Sequence, residues 1–360
     1  MLDGVLVRAA KHARLIPEPL LRGLFLAAAD AAWLLRVGGE RQLESNLAHV
    51  LGGSGARPVP RRVLRRTARA GMRSYFAYFA EAMTVGARSD DQLRARIRGD
   101  GEGLAPLVAL TRGGAGSAPI AMGHQGNWDY AGFWAQFDVA PVTTVAERLS
   151  DERLLRTFVD IRERLGMRIL LTGGPGLTDR LAEALGRPHV LVPLLADRDL
   201  SRRGVFVRAF GSVIRVAAGP AVLALETGSP LYVVTMRRER LRGARRRRAG
   251  TPYGYVCEVR GPIDVAPYLA MGRDEAVRAL SQAWVDLWAP GIAAHPEDWH
   301  MLQPIFLDDL DADRLRDVPD DVAATAGRVR GDADAVEGTA DKEDRTAEGG
   351  KGRADDHDGA

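Results

Sequence analysis

The stretch APIAMGHQGNWDYAGFWAQF (118–137) reads as one strand, one turn and one helix. Ala118–Met122 is a short apolar run of the kind that makes a fully buried strand, and Gly123 ends it. Asn127 is well suited to cap a helix over about 127–137, which puts Asp129 in its first turn. A buried strand that feeds directly into a helix is the repeating unit of an α/β layer structure.

The same alternation continues outward. Downstream, apolar runs at 141–145, 167–171, 189–195, 205–210, 230–236 and 254–259 predict strands. Helical patterns fall between or after them near 150–165, 176–186, 218–228 and 273–293. Upstream, 17–37 and 60–86 predict helices, the first with Pro19 at its start. The expected class is α/β, with a central mixed β-sheet covered by helices on both faces and preceded by an N-terminal helical segment. In such sheets ligands gather at the carboxyl ends of strands, where His124 stands. No internal repeat is evident.

Of the 360 residues, the last 53, from Asp308, hold 17 acidic and 8 basic side chains, whereas the rest hold 30 acidic and 42 basic. This predicts a domain over 1–309 and an acidic tail over 310–360 with too few large apolar residues to order itself. A basic body suits an anionic partner. Cys257 is the sole cysteine, so no intrachain disulfide forms. No secretory signal is evident, and no run is long and apolar enough to predict a transmembrane helix. The apolar helix at 17–37 can pack in a core or lie in a membrane interface. The arginine run RRERLRGARRRR (237–248) predicts a solvated loop between two strands that could also meet anionic lipid head groups. It has no interleaved aromatic residues to stack nucleic-acid bases, so no nucleic-acid partner is expected.

The sequence has no nucleophile elbow, no phosphate-cradling P-loop, no HExxH and no paired CxxC, and no bound metal is expected. ADRDL (196–200) follows a strand. Its Asp-x-Asp fits either a divalent cation on a sugar nucleotide or a structural ion network. His124 and Asp129 stand five apart across a turn, which lets their side chains converge. A carboxylate on one imidazole nitrogen fixes the tautomer and leaves the other nitrogen as a base. The bland alternative is a histidine satisfied within the fold. Backbone N–H groups near Asn127 are candidate oxyanion donors.

GHQGNWDYAGFW, then APVTTVAERLSDERLLRTFVDIRERLGMRIL, then PLLADRDLSRRGVFVRAFG with AAGPAVLALETGSPLYVV, occur in that order. Together they resemble the actinobacterial phosphatidylinositol mannoside acyltransferases, relatives of the lipid A lauroyl/myristoyl acyltransferases that share an HX4D motif. RQLESNLAHVLG (41–52) and HPEDWHMLQPIF (295–306) fit the beginning and end, and the resemblance covers roughly 5–306. It implies a glycerolipid-acyltransferase-like fold. It also implies transfer of a fatty acyl chain from acyl-CoA, as co-substrate with no further cofactor, to a mannose hydroxyl at the cytoplasmic face of the plasma membrane. An anionic membrane surface is then a further partner.

Carried over by position, the resemblance makes His124 the general base, Asp129 the residue that orients it, and Asp197 or Asp199 a further active-site acid, with Asp197 favoured. It places Asn127, Trp128, Glu147, Arg162, Arg198 and Asp199 among substrate-binding residues. Phe206 stands where the mannoside branch leads one to expect an acid, and TRGGAGSA (111–118) lies outside the shared pattern. Three rivals remain at this point: another glycolipid acceptor of lipid A type, a metal-dependent glycosyltransferase using Asp-x-Asp, and a non-enzymatic arginine-rich binding protein.

Overall fold

The computed structural model describes residues 16–53, 58–148, 151–199 and 203–311, with 314, 315, 318, 319 and 322 beyond them. The chain divides after Leu310 into two compact units, and the elements that follow belong to the first. The expected disordered tail falls almost wholly outside the described residues.

The quoted stretch folds as it reads. Strand β2 (Ala118–Met122) is buried at every position, and helix α6 (Trp128–Asp138) follows it. β2 lies in the interior of a five-stranded sheet, parallel to β5 (Leu191–Leu195) on one side and β8 (Leu231–Arg240) on the other. β9 (Tyr253–Ile263) pairs antiparallel with β8, and β1 (Ile97–Asp100) pairs parallel with β9. The sheet is therefore mixed. The pleat sends alternate side chains to opposite faces. Ile120, Met122, Val234 and Cys257 pack against α6 on one face. Ala121, Leu231 and Val233 pack on the other against Trp284 and Trp288 of α11 (Arg273–Ala294). Helices thus cover both faces, as the sequence predicts.

Two smaller sheets flank the main one: β3 (Thr143–Ala146) with β4 (Arg168–Leu171), and β6 (Val205–Ala209) with β7 (Ser212–Val216). Helix α7 (Glu152–Arg164) links β3 to β4. The arginine run departs from the expected loop. β8 carries the ladder as far as Arg240, opposite Tyr253, and 243–249 form a short helix. Leu241 and Ala249 anchor this segment by packing on Ala95. The arginines ride on a paired strand because backbone pairing with β9 and two small apolar anchors outweigh their preference for a solvated loop.

Helices α1 (Glu18–Leu35) and α3 (Arg61–Thr84) run beside each other. Among the described residues no helix is long and apolar enough to cross a membrane. α1 does not end its contact with the body at apolar packing. Its Arg22 is buried and donates to Glu81 of α3 at 2.6 Å. Glu81, also buried, accepts from Asn127 at 2.8 Å and from the Tyr255 hydroxyl at 2.7 Å. One carboxylate therefore ties α1, the cap of α6 and strand β9 together.

Removing one partner from a buried ion pair leaves an uncompensated charge, which costs on the order of 3–5 kcal/mol. Glu81→Ala is expected to lose that much unfolding free energy in urea titrations, with Glu81→Gln intermediate. A loss below about 1 kcal/mol for Glu81→Ala would contradict the tie described here.

Candidate active site

His124 lies just past the carboxyl end of β2, in a turn fixed from several directions. The first turn of α6 is capped by Asn127, whose Oδ1 accepts from the Tyr130 backbone N–H at 3.1 Å. Gly126 has φ +61°, a left-handed conformation that glycine takes without a Cβ clash, and its N–H donates to the Asp298 carbonyl at 2.8 Å. The His300 N–H donates to the His124 carbonyl at 2.7 Å. The segment 298–300 thus lies along the turn like an added strand.

The imidazole of His124 meets Asp197, not Asp129. His124 Nδ1 is 2.7 Å from Asp197 Oδ1, and the His124 backbone N–H donates to Asp197 Oδ2 at 2.8 Å. The same Oδ2 accepts from the Trp299 indole N–H at 2.8 Å. Asp197 has no solvent exposure. That burial works to raise its pKa, but the His124 ring, then the hydrogen bonds from His124 and Trp299, outweigh it and hold the carboxyl below its ordinary value. An ionised Asp197 keeps the proton on Nδ1 and leaves Nε2 as the basic nitrogen. Gly123 makes the approach feasible, because a Cβ there would stand 2.9 Å from Asp197 Oδ2 and 2.8 Å from the Trp288 indole nitrogen.

The expected His124–Asp129 pair is therefore corrected. Asp129 turns from His124 because two stronger partners claim it: Arg162 Nε donates at 2.7 Å and the Tyr78 hydroxyl at 2.8 Å. Burial opposes the charge of Arg162, but Asp129 and Tyr78 raise its pKa further and keep it protonated. Burial first, and then the charge of Asp129, push the Tyr78 hydroxyl well above its usual pKa, so it remains a donor. This trio, with Asp129 and Tyr78 buried and Arg162 reaching the cavity, joins α3, α6 and α7.

A cavity of about 460 Å³ opens beside His124. His124, Trp128, Asp129, Glu147, Arg162 and Arg198 all line it. Arg198 Nη2 donates to Glu147 at 3.0 Å, and Arg198 also reaches Gln303, another lining residue. The remaining wall is mainly apolar and includes Met122, Trp134, Val139, Leu155 and Val259. Since Trp128 and Val139 bracket α6, the cavity extends along roughly 16 Å of helix. Burial pushes the Cys257 thiol in this wall up to about 12, so it stays neutral.

Two expected binding residues lie off this cavity. Asn127 is fully buried and spends its amide on the helix cap and Glu81. Asp199 is buried against Arg215 at 3.1 Å and accepts from the Gly204 N–H at 3.1 Å. The acids of Asp-Arg-Asp thus serve different partners rather than converging on a shared cation. Phe206 lies opposite Arg215 in the β6–β7 ladder, with the guanidinium 5.6 Å from its ring.

Sequence reading did not single out Tyr78, Glu81, Trp299 or His300. His300 lines the cavity and its Nε2 is 2.9 Å from Ser74 Oγ. Ser74 donates its one proton to Asp298 Oδ1 at 3.1 Å, so it accepts from His300, whose proton is on Nε2. Burial, then Arg238 and His124, hold the His300 pKa well below 6.5. In the unfolded chain this ring protonates near 6.5, so His300 contributes stability above that pH which is lost as pH falls below it. Unfolding free energy is expected to fall between about pH 7 and 5 more steeply in the wild type than in His300→Gln, by up to about 1.4 kcal/mol per pH unit. Equal slopes in urea titrations would contradict a neutral buried ring.

Residues 5–308 match the family described as bacterial lipid A biosynthesis acyltransferase. The chain is 38% identical over 307 residues to the phosphatidylinositol mannoside acyltransferase of Mycolicibacterium smegmatis, covering 84% of this chain and 90% of that one. It is 37% identical over 302 residues to the protein of the same name from Mycobacterium tuberculosis, covering 84% and 87%.

Proposed function

From its membership of the bacterial lipid A biosynthesis acyltransferase family, to which this chain belongs, we propose that it moves a fatty acyl chain from acyl-CoA to a mannose hydroxyl of a phosphatidylinositol mannoside. The observation that carries this reading is the joining of a carboxylate-oriented histidine to a long apolar cavity. The names of the relatives support the choice of acceptor. The reading includes a peripheral place at the cytoplasmic face of the plasma membrane.

A thioester is already activated, so the protein has chiefly to place it and to accept a proton. The acyl chain occupies the apolar cavity, with its carbonyl beside His124. The acceptor hydroxyl oxygen attacks that carbonyl carbon as His124 Nε2 takes the hydroxyl proton. Asp197 remains ionised and steadies the imidazolium, as a buried carboxylate does in hydrolase triads. The tetrahedral intermediate then collapses, the C–S bond breaks, and the imidazolium returns its proton to the departing thiolate. The products are the ester and free CoA. No nucleophilic side chain is needed, because the alcohol is itself the nucleophile. Trp128, Glu147 and Arg198 stand at the histidine end of the cavity in this reading, where the polar parts of both substrates meet.

The test is purified protein with a fatty acyl-CoA and a panel of glycolipids, followed by thiol release and product mass. Ester formation on phosphatidylinositol mannoside is the expected result. His124→Ala is expected to lower kcat at least about a hundredfold with little change in acyl-CoA affinity. Exclusive use of a lipid A-type acceptor would move the acceptor assignment, and wild-type kcat in a folded His124→Ala protein would end the mechanism.

The cavity also makes a prediction about chain length. Val139 lies beyond the far end of α6 from His124 and lines the cavity. Val139→Phe adds bulk there at a stability cost of about 1–3 kcal/mol. In competition between acyl-CoAs of different length, it is expected to shift preference to shorter chains. An unchanged preference would show that the acyl chain lies elsewhere.

A further inference from the structure

Among the described residues two arginines line the cavity, and they are held differently. Arg162 is committed to Asp129, a buried carboxylate, at 2.7 Å. Arg198 has Glu147 for its partner at 3.0 Å, and 48% of the Glu147 side chain is exposed. An ion pair that is open to water on one side is worth about 0–1 kcal/mol, so its anion is readily exchanged. The neighbouring acids are already spent. Asp197 accepts from His124 and Trp299, and Asp199 from Arg215 and the Gly204 N–H.

Donors that the fold leaves unused stand around Arg198. Its own Nε is buried without a partner among the described residues. It donates to Gln303 Oε1, which leaves the Gln303 Nε2 hydrogens unpaired among the described residues. The Tyr75 hydroxyl, on the same cavity, makes no hydrogen bond among the described residues. Burial raises its pKa and the nearby charge of Arg198 works against that, so the hydroxyl stays a neutral donor close to the guanidinium. Glu147 follows β3, Arg198 follows β5 and His124 follows β2, all at the carboxyl ends of neighbouring parallel strands. A guanidinium beside two neutral donors, with a displaceable acid as its partner, has the chemistry of a phosphate seat.

Both substrates of the proposed reaction carry phosphate. In acyl-CoA the whole pantetheine arm separates the phosphates from the thioester. In a phosphatidylinositol mannoside the phosphodiester is on the inositol, the ring that carries the mannose. Arg198 directly follows Asp197, the partner of His124, so it stands close to the reacting atoms. The acceptor's phosphodiester is therefore the one that fits. We propose that Arg198, Tyr75 and Gln303 bind the phosphodiester of the acceptor lipid, and that Glu147 holds its place in the free protein. On binding, Glu147 is displaced into water and the mannose is drawn up to His124. This rests on the acyl-transfer reading and adds to it the group by which the acceptor is told from a neutral mannoside.

The test pairs binding with turnover. Calorimetry with the full chain uses deacylated phosphatidylinositol mannoside as the probe and octyl α-mannoside as the probe without phosphate. Arg198→Gln is expected to weaken binding of the first about tenfold or more, through loss of charge-assisted hydrogen bonds. Glu147→Gln is expected to tighten it severalfold. Neither variant is expected to change binding of octyl mannoside. In turnover the KM for the lipid acceptor moves in the same two directions, and the KM for acyl-CoA stays constant. Weaker or unchanged binding in Glu147→Gln overturns the proposal, and that variant decides alone if Arg198→Gln fails to fold. A rise in the KM for acyl-CoA in place of the acceptor gives the seat to the CoA phosphates. A loss of kcat at constant KM gives Arg198 to the reacting carbonyl. Either result overturns the proposal. Head-group binding that depends on Arg198 and Glu147, in a protein that transfers no acyl group, would refute the functional reading and leave the phosphate seat standing.

Discussion

A carboxylate with no access to water has to be surrounded by donors, and Asp197 sets that requirement at the centre of this fold. Its donors come from two separate parts of the chain: the turn after β2 and the segment after α11. Meeting that demand fixes the path of both. Residue 123 must lack a Cβ, Trp299 must turn inward, and the backbone of 298–300 must lie along the turn. The geometry that satisfies the buried charge also presents His124 to the cavity, with Nδ1 held on Asp197 and Nε2 left clear of it.

A second buried carboxylate, Glu81, relates this centre to the outside of the molecule. It holds Asn127, which caps α6, and Arg22, which belongs to the surface helix α1. Asp129 acts in the same manner one turn further on, locking α7 to α3 through Arg162 and Tyr78. The helices that wall the cavity are thus held by charged contacts at its polar end and by apolar packing along its length. An apolar cavity between helices is otherwise prone to collapse, because burying apolar surface is favourable.

Much of the fold is legible in the sequence because period and length are local properties. β2 coincides with its apolar run, and the helices at 61–84 and 273–294 lie within two residues of their predicted bounds. Short elements are harder to read. The helix 90–96 is only seven residues long and is announced only by a capping box at Ser89 and Gln92, and β1 is four residues long. The extension of β8 to Arg240 depends on its partner strand, which composition does not reveal. The site divides along the same line. His124 at a strand end is a local signal. Its partner is 73 residues away, so spacing alone favours the nearer Asp129, and resemblance brings Asp197 in only as a further acid. Trp299 and Glu81 carry no motif at all. Their importance follows from which buried groups the folded chain leaves in need of a partner.

The central claim is that His124 works with Asp197, while Asp129 serves a separate structural contact. Double-mutant cycles on kcat decide this most directly. Residues that act as one unit are strongly non-additive. His124→Ala with Asp197→Asn should therefore be little worse than His124→Ala alone. Asp129→Asn should instead lower activity by a similar factor whether or not His124 is present. The reverse pattern, with Asp129 coupled to His124 and Asp197 independent of it, would contradict the account.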